Sequence, residues 1–144
     1  MDRVRDPVKS IEFYTKLFGM SLITRKDFPE AKFSLYFLGH NVPPLATEEE
    51  RARYAFSVPG VLELTHNHGT EVDSAFEGYK SGNEPEHRGY GHIGITVDNV
   101  EALCEKLDGA GCRFIKRPNE GRMKSIAFVT DPDGYWIELI PKGF

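Results

Sequence analysis

Three residues with metal-ligating side chains stand at comparable points along this chain. Glu63 and Glu138 each interrupt an apolar segment, Val61–Leu64 and Trp136–Leu139, and His92 opens a third such segment. A carboxylate in the middle of an apolar strand is costly to bury unless a cation offsets its charge. Two carboxylates and one imidazole form the mixed oxygen and nitrogen set that suits zinc, nickel, cobalt, manganese or iron(II). These residue types therefore predict a metal centre.

An internal repeat places these residues on equivalent strands. Residues 6–22 resemble residues 98–114 at an offset of 92. Glu63 and Glu138 are related by a shorter offset of 75, because the first copy contains the longer loop. By the first offset the counterpart of His92 falls at position zero, so we expect a fourth ligand just upstream of the chain. A glutamate within a strand, taken alone, is more often solvent-facing or paired with a basic residue. That explanation does not account for two glutamates and a histidine on equivalent strands of the repeat.

The composition indicates a soluble globular protein. Hydrophobic residues make up 40% of the 144 and charged residues 28%. No apolar run reaches the roughly 18 residues that span a bilayer. The formal net charge of −4 argues against a nucleic-acid partner, which requires a concentrated basic face. Two cysteines, Cys104 and Cys112, are too few for a disulfide framework and favour a reduced, cytoplasmic protein.

Matching helices precede the strands that carry the two glutamates. The spacing of apolar residues predicts one helix over Pro7–Phe18 and a second over Asp98–Ala110. Asp6 and Gly19 supply the cap and the stop of the first helix. Each helix lies between strands, which gives the order βαβββ in each half. Because one such half cannot cover its own sheet, we expect two to pack together in an α+β fold, with curved mixed sheets around a metal site.

The expected boundaries follow from the repeat. The strands around the helices are predicted at Arg3–Val4, Met20–Ile23, His92–Val97 and Cys112–Lys116. The first module is expected over residues 1–66 with a loop at 39–60, then a linker at 67–89 and the second module at 90–144, within one structural domain. Long loops on a compact scaffold usually rim a site or bury an interface.

Side-chain alternation separates the two faces of each strand. In the strand that begins at His92, the apolar residues face the helices, so His92, Gly94 and Thr96 face away from them. The other histidines are interpreted as surface or rim residues: His40, His66, His68 and His87. Apolar residues that alternate on two further strands are either core or the lining of a pocket beside the metal. Four cations near strand ends are either solvated or clamps for an anionic small molecule: Arg3, Arg88, Lys116 and Arg122.

Four motifs, in order along essentially the whole chain, resemble one known family. Residues 27–38, 62–67, 91–95 and 131–138 are similar to glyoxalase I, the lactoylglutathione lyase family, of the eukaryotic zinc type. That family belongs to the vicinal-oxygen-chelate superfamily, whose paired βαβββ modules agree with the repeat. The resemblance implies isomerisation of the methylglyoxal–glutathione hemithioacetal to S-D-lactoylglutathione.

The resemblance also implies roles for individual residues. Glu63, His92 and Glu138 match the metal ligands, with Zn²⁺ as the cofactor and Ni²⁺ or another divalent transition metal as alternatives. Glu138 matches the principal base, a carboxylate that moves a proton between adjacent carbons, and Glu63 is its mirror-related candidate. Family enzymes are homodimers whose sites lie at the subunit interface. Substrate-binding positions match Arg3, Phe28, Leu35, Phe37, Asn67, Arg88, Lys116, Gly121, Met123, Ile126 and Phe128.

Two alternatives remain open at this point. If the N-terminal ligand is missing, the protein binds glutathione conjugates with little or no turnover. An extradiol dioxygenase shares the fold, but it requires two histidines and one carboxylate for iron, and this chain offers one well-placed histidine.

Overall fold

Each half of the chain folds into a four-stranded mixed sheet with one long helix, as the βαβββ pattern predicts. The computed structural model describes residues 1–144 and divides them into two units, 1–79 and 80–144. The first sheet has the strand order β1-β4-β3-β2 and the second has the order β5-β8-β7-β6. None of the helices is both long enough and apolar enough to span a bilayer.

The first unit contains four strands and two helices. Their bounds are β1 Asp2–Val4, α1 Pro7–Phe18, β2 Ser21–Phe28, β3 Phe33–Gly39, α2 Glu48–Ala55 and β4 Leu62–Asn67. β1 runs parallel to β4, and the other neighbouring pairs are antiparallel. β2 runs to Phe28, well beyond the expected end at Ile23, because its whole length pairs with β3.

Helix α1 has the predicted bounds because its terminal signals are local. The Asp6 side chain accepts hydrogen bonds from the backbone N–H groups of Val8 and Lys9. Gly19 follows the helix with a φ of 70°, the left-handed conformation that costs glycine least. Tyr14 and Phe18 are buried on the helix face that packs toward the sheet.

Helix α2 was not expected, since the sequence predicts a loop over residues 39–60. Thr47 and Glu50 form a capping box, in which each side chain bonds the backbone N–H of the other residue. The segment has no apolar stripe that would indicate a helix, and only Ala55 of it is buried. The helix nevertheless packs against Ile23 and Phe37 on the first sheet.

The second unit repeats the arrangement without an equivalent of α2. A short 3-10 helix at Pro85–His87 precedes β5 His92–Val97, α3 Val100–Gly109, β6 Phe114–Lys116, β7 Ala127–Thr130 and β8 Trp136–Pro141. β5 runs parallel to β8, as β1 does to β4. The bounds of β5 are as predicted, whereas β6 begins at Phe114 and leaves Cys112 in the preceding loop.

Helix α3 begins two residues later than the predicted start at Asp98. Asn99, rather than Asp98, caps the helix by accepting a hydrogen bond of 2.9 Å from the N–H of Ala102. The two helix caps, Asp6 and Asn99, are therefore 93 residues apart, where the sequence comparison gives 92. An asparagine and an aspartate cap helices equally well, so neighbouring caps cannot be told apart by residue type.

The segment that leads into β5 contains a glycine without space for a side chain. A Cβ on Gly82 would lie 2.7 Å from the backbone N of Tyr90 and 2.8 Å from the carbonyl carbon of Gly89. We expect Gly82→Ala to lower the free energy of unfolding by about 1–3 kcal/mol, because backbone rather than a flexible side chain must move. Denaturant titration measures the change.

The matched control is the same substitution at Gly109. A Cβ there meets nothing within 4 Å, and the residue is exposed at the end of α3. Gly109→Ala should leave the free energy of unfolding unchanged or raise it by up to about 1 kcal/mol through helix propensity. Equal effects of the two substitutions would contradict the steric argument.

Candidate functional site

His92 and Glu138 face each other on one face of the second sheet. His92 begins β5, and Glu138 lies in the middle of the parallel strand β8. The His92 Nε2 atom is 3.2 Å from the Glu138 Oε2 atom. The His92 side chain is 39% exposed and that of Glu138 is 16% exposed. The fold therefore brings this histidine and this glutamate together.

Alternation along β8 accounts for the position of Glu138. Ile137 and Leu139 are fully buried on one face of the sheet, whereas Trp136, Glu138 and Ile140 are half-buried on the other. This is the period of two that a strand imposes on its side chains. Strand β8 therefore places core side chains on one face and the partly buried Glu138 carboxylate on the other.

Gly94 lies opposite Glu138 in the strand register and leaves space beside the carboxylate. A Cβ at Gly94 would lie 3.0 Å from Ile140 Cδ1 and 3.9 Å from Glu138 Oε2. Since the glycine contributes no side chain, β5 adds no group over the Glu138 oxygen at this position, and Ile140 Cδ1 fills part of the gap.

Aromatic rings border the His92–Glu138 pair. Phe128 is the β7 partner of Glu138, and its ring meets His92 edge-on with centroids 5.1 Å apart. The Phe128 ring also contacts Trp136 at 5.8 Å. Apolar surroundings reduce the local dielectric constant, which strengthens electrostatic interactions with the pair.

Glu63 occupies the equivalent position in the first unit. It lies in β4 between the buried residues Leu62 and Leu64, and it is half-buried opposite Phe37. Its carboxylate has no hydrogen-bond or ion-pair partner within the chain. Glu63 thus presents an unpaired anionic group on the sheet face.

The donor atoms of His92 and Glu138 suit a divalent metal ion. Ligand bonds to zinc measure about 2.0–2.2 Å, so two ligands at the tetrahedral angle lie about 3.3–3.6 Å apart. The observed separation of 3.2 Å is close to the lower end of that interval. No group of three or more histidine, cysteine, aspartate or glutamate side chains forms a metal cluster within the single chain. The chain by itself thus provides a two-residue pair of fitting chemistry.

Thr65 and Asn67 share the sheet face of Glu63. Thr65 is 8% exposed, and its hydroxyl has no hydrogen-bond partner, which is uncommon for a buried polar group. Asn67 is half-buried, and its Nδ2 donates a hydrogen bond of 2.9 Å to the Tyr79 hydroxyl. Arg3 in β1 is exposed and paired in register with Thr65, so it projects from this face too.

The apolar candidates of the first unit differ in exposure. Phe28 is 40% exposed and stacks on Phe33 with centroids 4.7 Å apart. Leu35 is half-buried, and Phe37 is 3% exposed among Ile23 and the residues of α2. Phe37 is therefore mainly a core residue of the first unit, whereas Phe28 retains surface that a ligand can contact.

The candidates of the second unit lie in loops and on β6 and β7. Lys116 donates hydrogen bonds to the carbonyl oxygens of Ile126 (2.6 Å) and Arg117 (3.1 Å), which hold its ammonium group in place. A Cβ on Gly121 would lie 3.5 Å from the Lys116 side chain. Exposure differs widely among the others: Arg88 and Met123 are exposed, Phe128 is half-buried and Ile126 is buried.

The expectation that His66 lies at the surface was wrong. Strand β4 continues through this residue, which is 6% exposed on the face opposite Glu63. Its Nε2 is 2.7 Å from Glu71 Oε2, and the same oxygen accepts a bond of 3.0 Å from the N–H of Gly69. The pKa of Glu71 is lowered because its carboxylate accepts hydrogen bonds from the Glu71 backbone N–H and from the His66 side chain. The sequence signal was the alternation with Glu63, which puts His66 on the covered face.

The other three histidines and the two cysteines agree with their predicted roles. His40, His68 and His87 are exposed. Cys104 and Cys112 are both free, and burial raises the pKa of each thiol, which disfavours the reactive thiolate.

Comparison with known proteins adds to this geometry. Residues 2–139 match the family described as the Glyoxalase/Bleomycin resistance protein/Dioxygenase superfamily. The chain is 51% identical over 138 residues to glyoxalase I of Saccharomyces cerevisiae, covering 96% of this chain and 42% of that protein. It is 48% identical over 142 residues to lactoylglutathione lyase of Pseudomonas putida, covering 97% of this chain and 81% of the relative. The chain thus spans less than half of the yeast relative.

A solved structure resembles the fold over nearly the whole chain. The trypanothione-dependent glyoxalase I of Leishmania major superposes with a TM-score of 0.73 and is 34% identical. The match covers 99% of this chain and 84% of that one. The fold described above is therefore similar to that of the Leishmania major enzyme.

Proposed function

Because this chain belongs to the Glyoxalase/Bleomycin resistance protein/Dioxygenase superfamily, we propose that it is a lactoylglutathione lyase, or glyoxalase I. The reaction isomerises the hemithioacetal of methylglyoxal and glutathione to S-D-lactoylglutathione and so removes methylglyoxal. Relatives named lactoylglutathione lyase or glyoxalase I at 46–51% identity support this activity. The observation that carries the proposal is the His92–Glu138 pair, with its donor atoms 3.2 Å apart.

Glu138 is the proposed base of the reaction. Its carboxylate is half-buried beside apolar rings and meets no β5 side chain at Gly94, so it can reach a substrate carbon on the sheet face. A general base must lie within hydrogen-bond reach of the proton that it removes. Glu138 takes the proton from the carbon that carries the sulfur and returns it to the adjacent carbon. His92 lies beside this carboxylate, with its Nε2 3.2 Å from the Glu138 Oε2.

The metal site is proposed at His92, Glu138 and Glu63, with Zn²⁺ as the ion and Ni²⁺ as an alternative. Such an ion supplies electrophilic stabilisation of the oxyanion that develops when a proton next to a carbonyl is removed. The unpaired carboxylate of Glu63 and the fitting separation of His92 and Glu138 support this ligand set.

The site is proposed to form between two copies of the chain. Glu63 of one copy joins His92 and Glu138 of the other, so that a homodimer contains two equivalent sites. In support, Glu63 in the first unit has an unpaired carboxylate, whereas His92 and Glu138 lie together in the second unit. The repeat also places one glutamate on each of two equivalent strands, Glu63 in the first sheet and Glu138 in the second.

Both free cysteines support a cytoplasmic location, where thiols stay reduced.

The substrate-binding residues follow from the same proposal. Arg3, Asn67 and Arg88 bind the charged ends of glutathione, while Lys116 and Gly121 lie near its glycyl carboxylate. The S-substituent is bordered by those apolar candidates that keep accessible surface: Phe28, Leu35, Met123 and Phe128. The buried side chains of Phe37 and Ile126 support this lining from beneath. The exposed guanidinium groups of Arg3 and Arg88 support the first assignment, since Arg binds carboxylates in bidentate geometry.

The test is a continuous assay of thioester formation from preformed hemithioacetal, before and after removal of divalent ions. We expect thioester formation by the metal-loaded protein, loss after chelation and recovery with Zn²⁺ or Ni²⁺. Retention of full activity after complete chelation would contradict the metal site. Tight binding of an S-alkylglutathione without any turnover would contradict the lyase and favour a conjugate-binding protein. The methylglyoxal hemithioacetal of trypanothione serves as the comparison substrate.

A further inference from the structure

We propose that Lys26 is a specificity-determining residue, which lets the site accept hemithioacetals of 2-oxoaldehydes whose side group ends in a carboxylate or another anion. The inference rests on the proposed function and deepens it by naming a class of substrate. Lys26 lies in β2, one residue before the first of the four motifs that resemble the family.

The strand register places Lys26 on the sheet face that carries Glu63. Lys26 pairs with Leu35 of β3, and Leu35 pairs with Thr65 of β4, so these side chains form one row across the sheet. Thr65 is two residues beyond Glu63 and therefore projects from the same face. By strand spacing, the backbone positions of Lys26 and Glu63 lie about 12 Å apart. A substrate that is bound at Glu63 and extends across the sheet therefore approaches Lys26.

The ammonium group of Lys26 has no partner within the chain. The residue is half-buried, yet no carboxylate or carbonyl oxygen accepts a hydrogen bond from it. The adjacent Asp27 pairs with Arg25. Glu48 of α2 accepts a hydrogen bond from the Thr24 hydroxyl and forms no ion pair with Lys26. Lys26 thus presents an unpaired positive charge on this face of the sheet.

Apolar side chains surround the base of the Lys26 side chain. Leu35 is its direct partner in β3, and Phe28 lies two residues further along β2 on the same face. Both belong to the proposed border of the S-substituent. A methyl group, as in methylglyoxal, is short enough to contact only this apolar border. A longer substituent crosses the apolar surface and ends at the ammonium group, which binds an anion more tightly than a neutral group.

A lysine can also cover apolar surface with its stem while its ammonium group stays in water. Such a residue contributes packing whatever the charge of the substrate. The two roles can be separated at Lys26, because methionine keeps an unbranched stem and removes the charge.

The test compares wild type and Lys26→Met on two hemithioacetals of glutathione, formed from 4-carboxyphenylglyoxal and from 4-carbamoylphenylglyoxal. The two substituents have almost the same shape, and only the first is an anion at neutral pH. The readout is the ratio of the two kcat/KM values, from initial rates of thioester formation. We expect Lys26→Met to lower the preference for the carboxylate about fivefold, the effect of one partly exposed ion pair.

Two further variants define the role of the charge. Lys26→Arg should retain the preference for the carboxylate, because it retains the positive charge. Lys9→Met, on the exposed surface of α1, is the matched control and should leave the ratio at the wild-type value. In the wild-type protein the preference should weaken as the salt concentration rises, since ions screen a partly exposed pair.

Other results would overturn the assignment. An unchanged ratio in Lys26→Met would mean that the ammonium group does not meet the substrate, and that any common loss of rate comes from packing. If the wild-type protein converts the methylglyoxal hemithioacetal but neither aryl substrate, this inference fails and the proposed function stands. If it converts none of the three, the proposed function fails, and this inference fails with it.

Discussion

Glu138→Gln is expected to lower kcat/KM for hemithioacetal isomerisation by about 10²–10⁴-fold, the range for loss of a general base. Glutamine has almost the same shape, but its amide does not accept a proton at neutral pH. Glu138 has one polar side-chain partner, His92 at 3.2 Å, and glutamine keeps the packing of a side chain of the same size, so the change removes mainly the basic group. The measurement is the initial rate of thioester formation at several substrate concentrations.

A second glutamate on the same unit provides the control. Glu105 is exposed on α3, and Glu105→Gln should leave kcat/KM unchanged. Circular dichroism and the unfolding midpoint should match wild type for both variants. Full activity of Glu138→Gln would exclude Glu138 as the base and leave Glu63 as the candidate.

Leu139 follows Glu138 in β8. Leu139→Ala is expected to lower the free energy of unfolding by about 2–5 kcal/mol, the range for truncating a buried leucine side chain. Leu139 is fully buried and pairs with Ile95 on one side and Ala127 on the other, in the centre of the second sheet. The substitution leaves a cavity that strands paired on both sides cannot close. Urea titration followed by fluorescence of Trp136 reports the change.

Leu22→Ala provides the comparison, since Leu22 also lies in a strand but is 42% exposed. It should cost less than about 1 kcal/mol, because little apolar surface is returned to water. A cost for Leu139→Ala as small as that for Leu22→Ala would show that the second sheet has no rigid core at this position.

The sequence predicts the parts of this protein that depend on local periodicity. Alternation of side chains gives the face of His92 and Glu138 correctly, because strands impose a period of two whatever packs beside them. The ends of α1 follow from Asp6 and Gly19, whose effects act within one helical turn. The repeated βαβββ order is likewise a local pattern that occurs twice.

Features that depend on distant contacts were not predictable. Helix α2 buries only Ala55 and gives no apolar period, and its capping box lies in an acidic segment typical of loops. The contact of His66 with Glu71 forms because the loop after β4 folds back toward the strand. The bond from Asn67 to Tyr79 depends on the path of the intervening loop, which no periodicity encodes.

The missing side chain at Gly94 bears on the rate of the proposed reaction. A base that removes a proton from one carbon and delivers it to the next must travel about 1.5 Å, the length of a carbon–carbon bond. A bulky neighbour across the strand pair would confine the carboxylate to one rotamer and add a barrier to every turnover. With hydrogen alone at Gly94, no side chain at that position contacts the Glu138 Oε2, while the Glu138 backbone stays paired on both sides. A rigid sheet can in this way hold a shuttle whose moving part is a single carboxylate.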